Sequence, residues 1–92
     1  MLSEGEAAQV RDHLDEIRKA AGNDSEAGHY LAGSYLVGRG LYADAARSFE
    51  ELVRIAPQSP GPHDALANVY QTVGLPDLAK SERDRAKELS GN

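Results

Sequence analysis

Three histidines are the side chains best suited to acid–base chemistry or metal binding near neutral pH. His29 and His63 are separated by about 34 residues, the length of one helix–turn–helix repeat. Equivalent positions on stacked helices approach one another, so a two-histidine metal or proton site is one interpretation. The other is that each imidazole fills a packing position. Since a metal site needs further ligands and none is nearby in sequence, we favour packing. His13 lies among charged residues, and we expect it to be solvated.

Other residue patterns that could support catalysis do not fit known chemistry. Gly38-Arg39-Gly40 follows a predicted helix and lacks the Lys and Ser or Thr of a phosphate-binding loop, so it predicts a turn. Asp15-Glu16 and Glu50-Glu51 are adjacent on predicted helices and therefore point in different directions. The sequence contains neither a Gly-x-Ser-x-Gly nor a His-Glu-x-x-His motif. It therefore predicts a non-enzyme without cofactor or metal.

Composition narrows the class of protein further. The 92 residues suit one small domain, and the absence of cysteine excludes disulfides and thiolate metal sites. A net charge of −5 without a basic stripe argues against nucleic acid and anionic membrane surfaces as partners. No apolar run approaches the ~18 residues that a membrane span requires. The first residues show no signal-peptide pattern, so cytoplasmic location is the default expectation, and the cell envelope stays open if a signal was removed.

Hydrophobic periodicity predicts five helices and no strand. The opening helix has an apolar seam through Val10, Leu14 and Ile17 that needs a partner, and the following repeat is the nearest one. Ser3 and Ser59 are predicted to cap the helices that follow them. The predicted helices cover residues 2–21, 25–37, 42–56, 60–73 and 76–89.

The predicted core combines one apolar stripe from each helix. Phe49 is its central aromatic, and Val73 is expected to be buried with the rest of its helix. The residues predicted to be largely buried are Leu14, Ile17, Leu36, Ala45, Phe49, Leu52, Leu66, Tyr70 and Ala79.

The chain matches itself when it is shifted by about 34 residues. The shift places Ser25 on Ser59, His29 on His63, Gly40 on Gly74, Leu41 on Leu75 and Ala45 on Ala79. The first unit also has Ala45-x-x-x-Phe49 and then Pro57, and the second has Leu66-Ala67-x-x-Tyr70.

These residues resemble the tetratricopeptide repeat family. Histidine replaces the family's tryptophan in both units, Arg83 replaces the aromatic of the second unit, and that unit has no closing proline. The resemblance implies an all-α fold, with antiparallel helix-turn-helix repeats stacked as a short right-handed α-α superhelix. It divides a single domain, 1–92, into a packing helix (2–22), a first repeat (25–59) and a terminal repeat (60–92), which Arg83 would close with a polar face.

The resemblance also implies a function. In this family the first helix of each unit lines a concave groove that holds an extended or helical segment of a partner protein. A carboxylate clamp is not expected, because, of the Lys, Arg and Asn residues that form one, only Asn68 is present. The acidic net charge favours a neutral or basic partner segment. The alternative is homo-oligomerisation through the N-terminal helix or the exposed repeat ends. The groove residues implied are Tyr30, Ser34, Val37, Asp64, Asn68 and Gln71.

Overall fold

The computed structural model describes residues 2–91, which form five α-helices and, within that range, no strand. The predicted helices are confirmed, and their ends agree to within about two residues. The helices are α1 (Glu4–Ala21), α2 (Glu26–Gly38), α3 (Tyr42–Ile55), α4 (Pro60–Thr72) and α5 (Pro76–Leu89).

Serine side chains begin the first two helices. The Ser3 hydroxyl accepts a hydrogen bond from the backbone N–H of Glu6 at 3.1 Å, as predicted. The Ser25 hydroxyl accepts from the N–H of Gly28 at 2.9 Å and donates to the Ala21 carbonyl at 2.6 Å. Ser25 therefore ties the end of α1 to the start of α2.

The predicted cap at Ser59 is wrong. Ser59 lies at the N-cap position in an extended conformation, but its side chain forms no capping hydrogen bond. A serine cap needs a backbone N–H two or three positions further on. The residue three positions on is Pro62, which has no N–H. The fixed backbone of Pro60 at the first helical position contributes to starting α4 instead.

Two turns with the same hydrogen bonds join α2 to α3 and α4 to α5. Gly40 and Gly74 have φ of 74° and 82°, values that favour glycine. The N–H of Leu41 donates to the Leu36 carbonyl at 2.9 Å, and that of Leu75 donates to the Tyr70 carbonyl at 2.8 Å. The sequence repeat therefore corresponds to a repeated helix–turn–helix structure.

The helices stack in chain order, each packing mainly against the next. The molecule measures 44 × 29 × 15 Å and has a radius of gyration of 13.7 Å. A sphere-like domain of this length has a radius of gyration of about 12 Å. The extended, slab-like shape is the one that sequential stacking of helices produces.

The core is built around Phe49, which is 4% exposed. Its ring lies against the backbone of Gly33 on α2, so closely that a Cβ at Gly33 would be 2.5 Å from Cε1 of the ring. Only glycine allows α2 and α3 to approach in this way. The residues predicted to be core that are buried are Leu36, Ala45, Phe49, Leu52, Leu66 and Ala79.

Three of the predicted core residues are only partly buried, and the prediction that Val73 is buried is wrong. Leu14 and Ile17 are half-buried, because α1 lies at the edge of the stack and packs only against the first helical hairpin. Tyr70 is also half-buried, with its hydroxyl directed to Glu50 at the surface. Val73 is 45% exposed, since it follows the last turn of α4, which no described element covers.

The last helix presents charged residues on its outer side. Arg83, at the position of Phe49 in the first unit, is half-buried and donates a hydrogen bond to the side-chain carbonyl of Gln71 at 3.2 Å. None of the helices in residues 2–91 has both the length and the apolar character needed to cross a membrane.

The contact between Gly33 and Phe49 predicts opposite effects for two substitutions on α2. Gly33→Ala should destabilise the fold by about 1–3 kcal/mol, because the new methyl group overlaps the Phe49 ring. Gly38→Ala should be neutral or stabilise by up to about 1 kcal/mol, because nothing lies within 4 Å of its Cβ position and alanine favours the helix. Urea unfolding monitored by circular dichroism measures both. Equal effects would show that Phe49 does not press on α2.

Candidate partner-binding groove

A cleft of about 270 Å³ lies between α2 and α4, with α3 as its floor. Because α2 and α4 occupy equivalent places in the two helical hairpins, they run in the same direction and leave a channel between them. We call it the central cleft. It is lined by Tyr30, Ser34, Val37, Tyr42, Phe49, Ala65, Asn68, Val69 and Thr72.

Four of the six residues implied as groove residues line this cleft, namely Tyr30, Ser34, Val37 and Asn68. Asp64 and Gln71 are exposed on α4 but lie outside the lining set. The side chain of Gln71 instead accepts the hydrogen bond from Arg83 on α5. The spacing of residues along α4 does not by itself show which side of this helix lines the cleft and which side packs against α5.

Sequence analysis did not assign the remaining lining residues to the cleft. They are Tyr42, Phe49, Ala65, Val69 and Thr72. Phe49 was predicted as core, but its ring is both core and cleft floor. Ala65 lies one turn before Asn68 on the same face of α4, so the i to i+3 spacing was a signal that could have found it.

Tyr30 is the exposed aromatic of the cleft. It is 53% exposed, and its ring lies 6.4 Å from the Phe49 ring at an interplanar angle of 57°. Tilted aromatic pairs at such distances are favourable, so Phe49 holds the Tyr30 ring in place. Val37 at 37% exposure adds apolar area on the same helix. The cleft thus presents an oriented aromatic side chain to solvent.

Some polar side chains on α4 form hydrogen bonds within the protein, and others do not. The Thr72 hydroxyl donates to the Asn68 carbonyl at 2.8 Å. The Tyr70 hydroxyl donates to Glu50 at 3.3 Å, and burial together with Glu50 raises the pKa of that phenol above its ordinary value of 10.0. Among the hydrogen bonds of residues 2–91, none uses the side-chain amide of Asn68. The Asn68 amide can therefore serve a ligand with both a donor and an acceptor.

A second cleft of about 460 Å³ continues the channel towards the N-terminal ends of α2 and α4. We call it the side cleft. Tyr30 lines both clefts, and Leu52 is the floor here as Phe49 is in the central cleft. Together the two clefts form one groove. The side cleft is lined by Glu26, Ala27, Tyr30, Leu52, Ser59, Gly61 and Pro62.

His63 lies outside the groove and is 6% exposed. Its Nδ1 is 2.6 Å from Oε2 of Glu82 on α5, and its Nε2 is 3.1 Å from the Pro57 carbonyl. Each ring nitrogen therefore has one polar partner. With both nitrogens engaged, His63 joins α4, α5 and the preceding connector.

His29 belongs to a different cluster with Asp24 and Glu51. One ligand atom from each lies within 4.8 Å of the others, the arrangement of a three-residue metal site. The guanidinium of Arg54 already lies in this cluster. It donates to both Asp24 oxygens at 2.8 and 2.9 Å and to Glu51 at 2.6 Å. Arg54 therefore supplies the positive charge that a metal ion would bring.

Only the fold brings the Arg54 cluster together. Asp24 lies in the α1–α2 loop, whereas Glu51 and Arg54 lie on α3. Hydrogen bonds from His29 and Arg54 hold the pKa of the Asp24 carboxyl below its ordinary value of 3.8. Because the folded-state pKa is lowered, the ionised cluster stabilises the fold above about pH 4, and this contribution is lost as the pH falls through the folded-state pKa.

Arg54→Gln should therefore lower the melting temperature near neutral pH, and this difference should shrink at low pH, as the pH falls through the lowered pKa of Asp24. Arg47→Gln is the matched control, because within residues 2–91 the ion pair of Arg47 is with Asp44 on its own helix. That variant should change the melting temperature little at either pH. A deficit in Arg54→Gln that is the same at both pH values would contradict the role of Asp24.

No protein-family model matches the chain, and the curated proteins and the solved structures hold no match to it either.

Proposed function

We propose that this chain is a non-catalytic, tetratricopeptide-like module that binds an extended or helical segment of a partner protein in the groove between α2 and α4. The observation that carries the proposal is the central cleft. Equivalent helices of the two hairpins contribute Tyr30 and Asn68 to one concave surface over the Phe49 floor. A segment lying in this channel touches both.

The composition of the cleft suits binding. Ligand sites are concave and mostly apolar, with a few polar groups that fix orientation. Here Tyr30 and Val37 supply exposed apolar area, while Asn68 supplies the hydrogen-bonding group. Exposed tyrosine adjacent to such a surface is typical of residues that contribute most to binding energy.

The same composition favours binding over catalysis. Nucleophilic catalysis needs a nucleophile with a general base within hydrogen-bonding reach. The lining residues of the central cleft include hydroxyl groups but no His, Asp, Glu, Lys or Cys. His63 and His29 are engaged outside the cleft with Glu82 and Asp24.

Tyr30→Ala and Asn68→Ala test the groove. Each should weaken binding of the partner segment, by about tenfold or more for Tyr30, because a central aromatic anchor is lost. Leu31→Ala and Asp64→Ala are matched controls on the same helices, since both residues are exposed but line neither cleft. The controls should leave affinity within about twofold.

Calorimetry with a partner segment measures the affinities, and circular dichroism checks that each variant is folded. Loss of binding in the control pair with normal binding in the groove pair would place the partner on another surface.

A second candidate function, homo-oligomerisation, is favoured by one specific observation. Val73, Leu75 and Leu78 are exposed by 45%, 44% and 48% at the α4–α5 turn. The equivalent of Leu75 in the first unit, Leu41, is half-buried against the core cluster and lines one surface cleft with Leu2 and Val10. The second turn therefore presents apolar area that α1 covers in the first.

Sedimentation velocity distinguishes the two candidates. As a binding module the chain should remain monomeric at high micromolar concentration, and Leu75→Ser/Leu78→Ser should leave its sedimentation unchanged. A defined dimer that this double substitution dissociates would favour self-assembly through the turn.

A further inference from the structure

We infer that the segment held in the groove has an uncharged, apolar anchor residue in the central cleft and a lysine or arginine beside Glu26 at the side cleft. This inference rests on the proposed function and names the chemistry of the partner. It follows from which charges the groove has, where they lie, and which polar groups remain free.

The central cleft is uncharged. Although 27% of the chain is charged, none of the residues that line this cleft carries a charge. A ligand carboxylate or ammonium placed there would lose hydration without gaining a partner, which is costly. An aromatic or aliphatic side chain packed against Tyr30 and Val37, the exposed apolar residues of the lining, would bury apolar area at no such cost.

The free polar groups of the cleft suit a peptide backbone beside that anchor. The Asn68 amide offers one acceptor and two N–H donors, which match the N–H and C=O of one ligand residue. Ser34 faces Asn68 across the cleft from α2. Two hydrogen-bonding groups on opposite walls can position an extended chain without requiring any charge on it.

The side cleft differs from the central cleft because one charged residue lines it. Glu26 is its charged lining residue, and it takes part in none of the ion pairs found within residues 2–91. Glu26 is also exposed, so its carboxylate is available to a ligand cation. Charge complementarity therefore places a basic residue at this end of the segment.

The length of the groove sets the spacing of the two features. From Glu26 to Val37, α2 rises about 16 Å at ~1.5 Å per residue. An extended chain covers this distance in about five residues at ~3.3 Å each. The basic residue should therefore lie two to four positions from the anchor, on one side only.

Selection from a random-peptide library displayed on phage, with the full chain as bait, tests the inference. Recovered peptides should share an uncharged aromatic or aliphatic residue with Lys or Arg to one side. In a synthetic copy of a recovered peptide, replacing the anchor with Asp or with Lys should weaken binding by about tenfold or more, measured by fluorescence polarisation.

A charge exchange tests the basic flank. Glu26→Lys should weaken the affinity for the parent peptide by about two- to fivefold. The same variant should restore binding of a peptide in which the flanking Lys is replaced by Glu. Glu16→Lys on α1 makes the same change in net charge away from the groove and should do neither.

The outcomes separate the two levels of the proposal. The inferred chemistry is overturned if the selected peptides carry a charged anchor, or if Glu26→Lys and Glu16→Lys change their affinity equally. The groove function still holds in these cases, provided that the Tyr30→Ala variant no longer binds the peptides. Peptides that bind Tyr30→Ala and Asn68→Ala normally, or a selection that recovers no peptide, overturn the groove function and the inference with it.

Discussion

The contact between the Phe49 ring and the bare backbone of Gly33 is the constraint on which the rest of the structure depends. It sets the distance between α2 and α3, because the ring occupies the space that any side chain at position 33 would need. Phe49 is buried almost completely, and the small part of it that remains accessible borders the central cleft. The residue that stabilises the first hairpin therefore also supplies the floor of the candidate binding surface, and the Tyr30 ring is oriented against it.

The two hairpins share a turn, but their equivalent residues have different surroundings. His29 and His63 both lie in the first turn of their helices. His63 is covered by α5 and engaged with Glu82 and the Pro57 carbonyl, whereas His29 lies at the first hairpin's edge with Asp24. Position in the stack, rather than the repeat itself, decides whether such a residue is buried. The same difference separates half-buried Leu41 from exposed Leu75.

Charged residues are unevenly distributed over the surface of the helical stack. Arg54 compensates Asp24 and Glu51 at one surface, and the outer side of α5 carries Lys80, Arg83 and Asp84. The central cleft, by contrast, has no charge. Burying a charged outer face such as that of α5 in further stacking is costly, whereas the uncharged central cleft suits the apolar anchor that we propose for its ligand. The absence of charge thus distinguishes the proposed binding surface from the charged outer surfaces.

The sequence by itself determined what depends on local, periodic information. Helix number and ends follow from apolar spacing, prolines and glycines, and the repeat at Gly40 and Gly74 predicted two equivalent turns. Four of the six implied groove residues line the central cleft, because residues three and four positions apart share a helix face. Tertiary structure decided what depends on distant partners. It directed the side chain of Gln71 towards Arg83 and placed Arg54 beside Asp24, which lies about 30 residues away in the sequence. It also left Val73 exposed. Periodicity reports which face of a helix is apolar, but only the packed neighbours determine how much of that face is covered and which polar groups meet.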